Sequence, residues 1–343
     1  MRYTYIIFFS ILFLITFQTK IYSQVGIGNT DPHPSSILDV RSDSQGMLTP
    51  RMDTSQRLLI ASPAEGLIVF DTDKNSFYFF NDTEWIELDR RNNYKLVKNI
   101  SDLSEELVLG GGSRYLLQSN YLYEINGTII VDFPMELNGA FVTGEDGLED
   151  VLFNASGGTF FIGATGGNLK RLNVFGNGQQ VFDITGTGAE NLVTNAVNYI
   201  GASSLGSLSN MNLVFFNTGQ FINNNDGLVL TDITSYFMTL FTWATNSSGT
   251  FLDFSGTFDD IQLLNARINV DSGEIGVDVS SNPTITGAAS ITQVSFDGLG
   301  THVNGYTTGT YLGYDFTNNW YVQSQGVLQE TDDNATGDII SGA

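Results

Sequence analysis

The sequence predicts an all-β protein whose main part is a right-handed parallel β-helix, preceded by a small N-terminal β-rich module. Of the 343 residues, 37 are Gly and only 15% are charged, a composition typical of a turn-rich β protein. From residue 115 onward, short apolar runs alternate with Gly, Asn, Ser and Thr, and no helical period persists. Similar phrases recur about every 23 residues, a repeat length typical of solenoids.

The repeat is defined by apolar residues that we assign to equivalent positions of successive coils: Phe161, Phe182, Ile222, Leu252 and Val277. The interval of 40 residues between the second and third accommodates one further, less regular coil at 201–211. Alternate residues, such as Phe182 and Ile184, then face inward and form a continuous core. The alternative architecture is a β-sandwich, whose strands would recur about every 8–12 residues.

Composition and motifs divide the chain into five segments. These are a signal peptide (1–23), an N-terminal attachment or oligomerisation module (24–94), a junction and cap (95–114), the β-helix (115–325) and a C-terminal tail (326–343). Charge changes sharply near residue 115: 11 basic and 14 acidic residues precede it, whereas 3 basic and 23 acidic residues follow.

The signal peptide is predicted from a short basic start and an apolar run over residues 6–17. These 12 residues fall short of the ~20 that span a bilayer. We predict cleavage between Ser23 and Gln24, and hence a secreted or cell-surface protein with no membrane span after cleavage. The alternative is an uncleaved membrane anchor, because Lys20 and Ile21 are atypical of a cleavage site.

The N-terminal module is predicted to contain a short helix at 54–60, two strands within 66–80 and a third strand at 85–88. Its sequence resembles a segment of secreted surface and fibre-like proteins of the Bacteroidetes, also found in phage tail-fibre proteins. The strings that carry the resemblance are Val25–Gly28, Gly46–Met52, Gln56-Arg57, Pro63–Leu67 and Asp71-Thr72. The resemblance implies display on a surface or fibre, often as an oligomer. A linker module is the alternative.

The body resembles right-handed parallel β-helix proteins of phages and environmental bacteria. The phrases Thr165–Leu172, Phe182–Gly188 and Gly256–Asp259 carry this resemblance. In such proteins a string like Asp332–Thr336 precedes a further terminal domain. The aromatic residues between Tyr306 and Tyr321 are predicted to pack in the last coils, with stacking on sugar rings as the alternative.

Composition also limits the chemistry. The absence of Cys excludes disulfides and thiolate metal sites, and two His leave little for a His-based metal or acid–base centre. A formal charge of −23 disfavours nucleic acid as a partner. We therefore predict no metal, no cofactor and no catalytic residues.

One candidate ligand face is predicted from the repeat. If the assigned register is correct, Asp183, Asn223, Asp253 and Asp278 point outward on one side of the solenoid. Such a column could bind a cation or sugar hydroxyls, or flank a glycosidic bond. A solvated polar face is the simpler interpretation.

These observations favour an exported, non-enzymatic structural or adhesive surface protein, which forms homo-oligomers such as trimers and contacts a surface glycan or another cell-surface component. Two alternatives remain open. One is a polysaccharide-active β-helix enzyme, either a lyase or a glycoside hydrolase. The other is a phage-derived tail-fibre component.

Overall fold

The computed structural model describes residues 24–88, 93–310 and 313–327. The predicted signal peptide and nearly all of the predicted C-terminal tail lie outside these residues. The chain forms two compact units, residues 1–90 and 91–343. We call their described parts the head (24–88) and the solenoid (93–310 and 313–327).

The head contains one short helix and six short strands. They are β1 Val25–Ile27, β2 Leu38–Val40, β3 Arg51–Met52, α1 Thr54–Leu58, β4 Ile68–Asp71, β5 Ser76–Phe80 and β6 Trp85–Glu87. β1 and β2 form a parallel pair, and β3 to β6 form a four-stranded sheet in sequence order. The Asp53 side chain accepts from the Gln56 N–H in a capping box that begins α1. The predicted helix and three strands are confirmed.

The solenoid begins with strand β7 Tyr94–Val97, followed by a 3-10 helix at Ile100–Leu103 and by α2 Ser104–Leu109. The remaining strands are β8 Tyr115–Leu116, β9 Leu122–Ile125, β10 Thr128–Val131, β11 Met135–Glu136, β12 Phe141–Gly144, β13 Val151–Asn154, β14 Phe161–Gly163, β15 Gly167–Phe175, β16 Gln180–Thr185, β17 Asn191–Ile200, β18 Ser204–Ile222, β19 Leu228–Trp243, β20 Thr250–Asn269, β21 Ile275–Asp278, β22 Thr284–Asp297, β23 Thr301–Asn304 and β24 Trp320–Gln325.

Parallel pairing stacks these strands into three faces, which the chain visits in turn. Face 1 comprises β8, β11, β14, β16, the starts of β18 to β20, β21 and β23. Face 2 comprises β7, β9, β12, the starts of β15 and β17, the middles of β18, β19, β20 and β22, and β24. Face 3 comprises β10, β13 and the ends of β15, β17, β18, β19, β20 and β22.

Each coil of the solenoid is one passage through faces 1, 2 and 3. Face 1 holds nine consecutive strands between Tyr115 and Val303 within the described residues, which makes an average step of about 23.5 residues. The predicted all-β fold with a parallel solenoid is thereby confirmed. A single coil cannot bury its apolar side chains, and stacking on neighbouring coils buries them in a shared core.

The core lies inside the three faces and is continuous from coil to coil. On face 1, Phe161, Phe182, Leu252 and Val277 occupy one inward column and are fully buried, as predicted. Aromatic rings stack within the core, with 5.5 Å between the ring centroids of Phe161 and Phe182. This continuity shields the apolar interior along the whole described solenoid.

The predicted equivalence of Ile222 with these residues is wrong. The face 1 positions between Phe182 and Leu252 are Gly206 and Leu228, whereas Ile222 lies on face 3. The further coil predicted at 201–211 is present, with Gly206 at its inward face 1 position, and the coil after it is marked by Leu228 instead of Ile222. A Cβ at Gly206 would lie 2.0 Å from the Phe182 carbonyl oxygen, and its φ is +98°. Glycine is therefore required at this position, where the backbone of the preceding coil lies close.

Candidate interaction surfaces

An outward polar column runs along face 1. In register, its successive residues are Asp183, Ser207, Val229, Asp253, Asp278 and Asn304. Ser207 donates its hydroxyl to Asp183 at 3.3 Å, and the Asn304 amide donates to Asp278 at 2.9 Å. The structure therefore places three of the four residues predicted to form a ligand face in one column. Asp253 and Asp278 are adjacent in it, whereas Ser207 and Val229 lie between Asp183 and Asp253. Whether this column binds a ligand stays a prediction.

Asn223, the fourth predicted residue, lies elsewhere. It follows the end of β18, at the corner between face 3 and face 1, with a φ of +55°. Asn tolerates this left-handed conformation better than most residues. The Asn223 N–H donates to the Asn246 side-chain oxygen of the next coil at 3.2 Å. The left-handed turn conformation accounts for an Asn at position 223, and no ligand is needed to explain it.

Asp253 and Asp278 are directly opposed on neighbouring strands. Partial burial raises the pKa of Asp253, and the nearby carboxylates of Asp278 and Asp226 raise it further. The column thus holds one carboxyl group whose pKa is raised above the usual value of an aspartate. Within the described residues, no cluster of three or more His, Cys, Asp or Glu side chains is arranged to hold a metal ion.

Two grooves lie on faces 2 and 3, and neither includes the acidic column. One, of about 450 Å³, runs along face 2 beside Phe141, Asn168 and Lys170. The other, of about 410 Å³, follows the corner between faces 2 and 3 beneath residues 146–148. Arg171 borders both grooves. The sequence pattern does not predict the second groove, because it combines loop 146–148 with residues from later coils.

The head is held by a buried ion pair. Arg57 of α1 donates its Nε–H to Asp71 of β4 at 2.9 Å, and both side chains are nearly inaccessible to solvent. The Arg57 guanidinium also lies over the Tyr78 ring, 3.9 Å from its centroid. Burial acts to raise the pKa of Asp71, but hydrogen bonds from Arg57, the Lys74 N–H and Thr54 outweigh it and lower the pKa. The sequence strings that carry the surface-protein resemblance supply both members of this pair.

The head leaves much of its apolar surface exposed. Twelve large apolar side chains of its 65 described residues are exposed, against ten of the 233 described residues of the solenoid. Those of the head are Val25, Ile27, Ile37, Leu38, Val40, Met47, Leu48, Leu58, Leu59, Ile68, Phe77 and Leu88. The head thus exposes several times more large apolar side chains per residue than the solenoid does.

The N-terminal end of the solenoid contains a buried carboxylate. Glu106 of α2 accepts from the Lys95 ammonium at 2.6 Å and from the Tyr123 hydroxyl at 2.8 Å. These bonds tie α2 to the strands of the first two levels of face 2. Burial, together with the Glu106 carboxylate, raises the pKa of Tyr123 well above its usual value. The group is satisfied internally, so it has a structural rather than a binding role.

Comparison with known proteins adds one family match. Residues 26–101 match the family described as "Phage tail like trimerisation region", which covers 76 of the 343 residues. The match supports the phage-tail part of the resemblance noted for the N-terminal module. Together with the solenoid, it supports a structural, fibre-type protein. Within the described residues, no helix has the length and apolar character needed to cross a membrane.

The solved structure of "Geobacillus virus E2 - ORF18" is similar over 86% of this chain and 78% of that chain, at 9% identity and a TM-score of 0.31. Similarity at this level carries no argument about fold or function. No curated protein matches the chain.

Proposed function

We propose that this protein is an exported, homotrimeric, fibre-like surface protein that displays its β-solenoid for contact with a cell-surface component. The observation that carries the proposal is the exposed apolar surface of the head, which a single chain leaves in water. The match of residues 26–101 to a trimerisation region supports three copies as the assembly. A small module with a thin core gains stability when neighbours cover such a surface.

The trimer is tested by light scattering on the full chain. We expect a mass three times that of one chain, which is 37.5 kDa before removal of the predicted signal peptide and less after it. Ile37→Asp with Leu48→Asp, both at exposed apolar positions of the head, should release monomers. The matched control is Leu299→Asp, because Leu299 is a similarly exposed apolar residue of the solenoid. A monomeric wild-type chain at micromolar concentration contradicts the proposal.

Export and adhesion are separate parts of the proposal. Export predicts a mature protein in the cell envelope or medium whose N-terminal residue is Gln24. Adhesion predicts retention of the folded trimer on a glycan array, with signals that a head-disrupted monomer loses through reduced avidity. A cytoplasmic protein that begins at Met1 contradicts export, and a blank array contradicts glycan binding.

A second function is favoured by one observation. Asp253 and Asp278 form an adjacent carboxyl pair in which one member has a raised pKa, as a glycoside-cleaving acid requires. The pair lies outside both grooves, which favours the structural function over an enzyme. Turnover on a polysaccharide panel that Asp253→Ala abolishes would establish the enzyme and overturn the structural proposal. Origin as a phage-derived tail-fibre component is compatible with the trimer and is tested by the gene neighbourhood.

A further inference from the structure

Faces 2 and 3 each present an outward apolar column, unlike face 1. On face 3 the column passes through Ile130, Phe153, Phe175, Ile200 and Ile222. On face 2 it passes through Leu122, Phe141, Asn168, Val193, Phe215 and Phe237, with Asn168 as an interruption. The inward neighbours of these residues are buried, so the two columns are additional to the core.

The outward aromatic residues associate along each column. The Phe153 and Phe175 rings stack with 6.3 Å between centroids, and Phe215 and Phe237 meet edge to face at 6.2 Å. Two members are exposed, Ile130 at 58% and Phe141 at 48%, and the other apolar members are half-buried. Contiguous apolar surface of this kind is typical of contact with another protein.

The two columns overlap in the first five coils. Leu122 and Ile130 lie in the first coil, and Tyr94 precedes Leu122 in register on face 2. The last apolar members are Ile222 on face 3, in the fifth coil, and Phe237 on face 2, in the sixth, and both positions are polar in the seventh coil, at Asn269 and Gln262. In the eighth coil the corresponding residues are Asp297 and Ser290. The apolar columns therefore end within one coil of each other, as expected if each covers the other in an assembly, and on face 2 Tyr321 follows Ser290 in the last coil.

We infer that faces 2 and 3 are the contact surfaces between copies of this chain, with face 2 of one copy packed against face 3 of the next around a three-fold axis. This inference rests on the proposed trimer. A closed ring of three requires two different, complementary patches on each chain, because each copy contacts its two neighbours through different surfaces. Two apolar columns on adjacent faces meet this requirement.

The position of the match to the trimerisation region also supports contact between faces 2 and 3 of neighbouring copies. The residues matched to the trimerisation region, 26–101, extend into the solenoid unit and include β7 and the start of the 3-10 helix. The coils that follow directly are the ones with apolar columns. Three solenoids joined at this end are held at high effective concentration, which favours contact between them.

Charge excludes the alternative in which face 1 forms the contact. The chain from Tyr115 onward carries 23 acidic and 3 basic residues, and face 1 presents Asp183, Asp253 and Asp278 in one column. Packing three such surfaces together would place like charges side by side. With faces 2 and 3 in contact, the acidic column remains in solvent and free for a ligand.

Cross-linking tests the inference, since the chain has no native Cys. The variant carries Val193→Cys on face 2 and Ile200→Cys on face 3, both in the fourth coil. A short thiol-reactive cross-linker should convert most of the protein to covalent dimers and trimers on a denaturing gel. Each single-Cys variant should give at least tenfold less covalent dimer and trimer, because face 2 of one copy contacts face 3 of the next and not another face 2. The control pair, Ile200→Cys with Val229→Cys, replaces the face 2 residue by one on face 1.

Light scattering on the same samples separates the outcomes. A trimer that cross-links only through the Val193/Ile200 pair supports the inference. A trimer whose single-Cys or control variants cross-link equally, or whose test pair fails to cross-link, overturns the face assignment and leaves the proposed trimer intact. A monomer overturns the proposed function and this inference with it.

Discussion

The head and the solenoid are stabilised in different ways. In the solenoid, each coil buries aromatic and aliphatic side chains against the coils above and below, so the core grows with every repeat. In the head, the buried apolar residues of the described part are few, with Val69 and Tyr78 foremost, and a single ion pair occupies the centre. Repetition thus gives the solenoid a large apolar core within one chain. The described head has few buried apolar residues, one buried ion pair and much exposed apolar surface.

The largest expected effect is the loss of a core ring in the solenoid. Phe182 is fully buried between Phe161 and Tyr199, with ring centroids 5.5 and 5.6 Å away. We expect Phe182→Ala to lower the free energy of unfolding by about 3–5 kcal/mol, through lost transfer energy and a cavity. Urea unfolding followed by circular dichroism measures it. Val229→Ala, at an exposed outward position of face 1, is the control and should change stability by less than about 0.5 kcal/mol.

Breaking the ion pair should affect the head alone. Arg57→Ala leaves the Asp71 carboxylate buried without its cation, which costs about 3 kcal/mol for a pair of this kind. We expect dissociation of the trimer in light scattering while the β-sheet signal of the solenoid persists. Arg41→Ala, at an exposed arginine of the same unit, should leave the mass unchanged. If both units of Arg57→Ala unfolded together, the prediction that the ion pair affects the head alone would be wrong.

The coil predicted at 201–211 has a glycine, Gly206, at its inward face 1 position. In Gly206→Ala the new Cβ clashes with the Phe182 carbonyl and holds an unfavourable positive φ. We expect a loss of about 1–3 kcal/mol in the free energy of unfolding. Gly178→Ala also has a positive φ, +71°, but its Cβ would meet open space. Equal losses in the two variants would assign the effect to φ and exclude the clash.

Acid should act on the two regions in opposite directions. The pKa of Asp71 is lowered in the folded head, so its contribution to stability is present above its usual value of 3.8 and is lost as the pH falls through the lower folded-state pKa. The pKa of Asp253 is raised in the solenoid, so protonation there favours the folded state as the pH falls. Melting curves at pH 7 and pH 3 should show the head weakened relative to the solenoid. In Asp71→Asn this acid sensitivity of the head should diminish.

The smallest effect concerns the acidic column. Asp253→Asn removes one of two like charges that face each other on neighbouring strands. We expect a gain of about 0.5 kcal/mol or less at pH 7, because solvent screens a partly exposed pair. Asp183→Asn, whose in-register neighbours are Ile162 and Ser207, is the control and should give no gain. A loss of stability in Asp253→Asn would mean that this carboxylate makes a stabilising contact, such as with a bound cation.

Some features of the site were predictable because they depend on local pattern. The phrases around Asp183, Asp253 and Asp278 share the alternation of one face 1 strand, and their common column follows from it. Asn223 was misplaced because β18 runs through all three faces without interruption, so its last apolar residues resemble a face 1 phrase. A pattern of period two cannot distinguish which face of a coil a strand segment belongs to.

The sequence by itself determined the all-β class, the coil length near 23 residues and the concentration of acidic charge in the solenoid. Composition, repeat length and net charge depend only on which residues follow one another along the chain. Only the tertiary structure decided which residues share a column, since register depends on close approach at positions such as Gly206 that carry no side-chain signal. It also decided that Arg57 meets Asp71 and that two apolar columns lie on adjacent faces. These juxtapositions join residues distant in the chain, and stacking and packing alone bring them together.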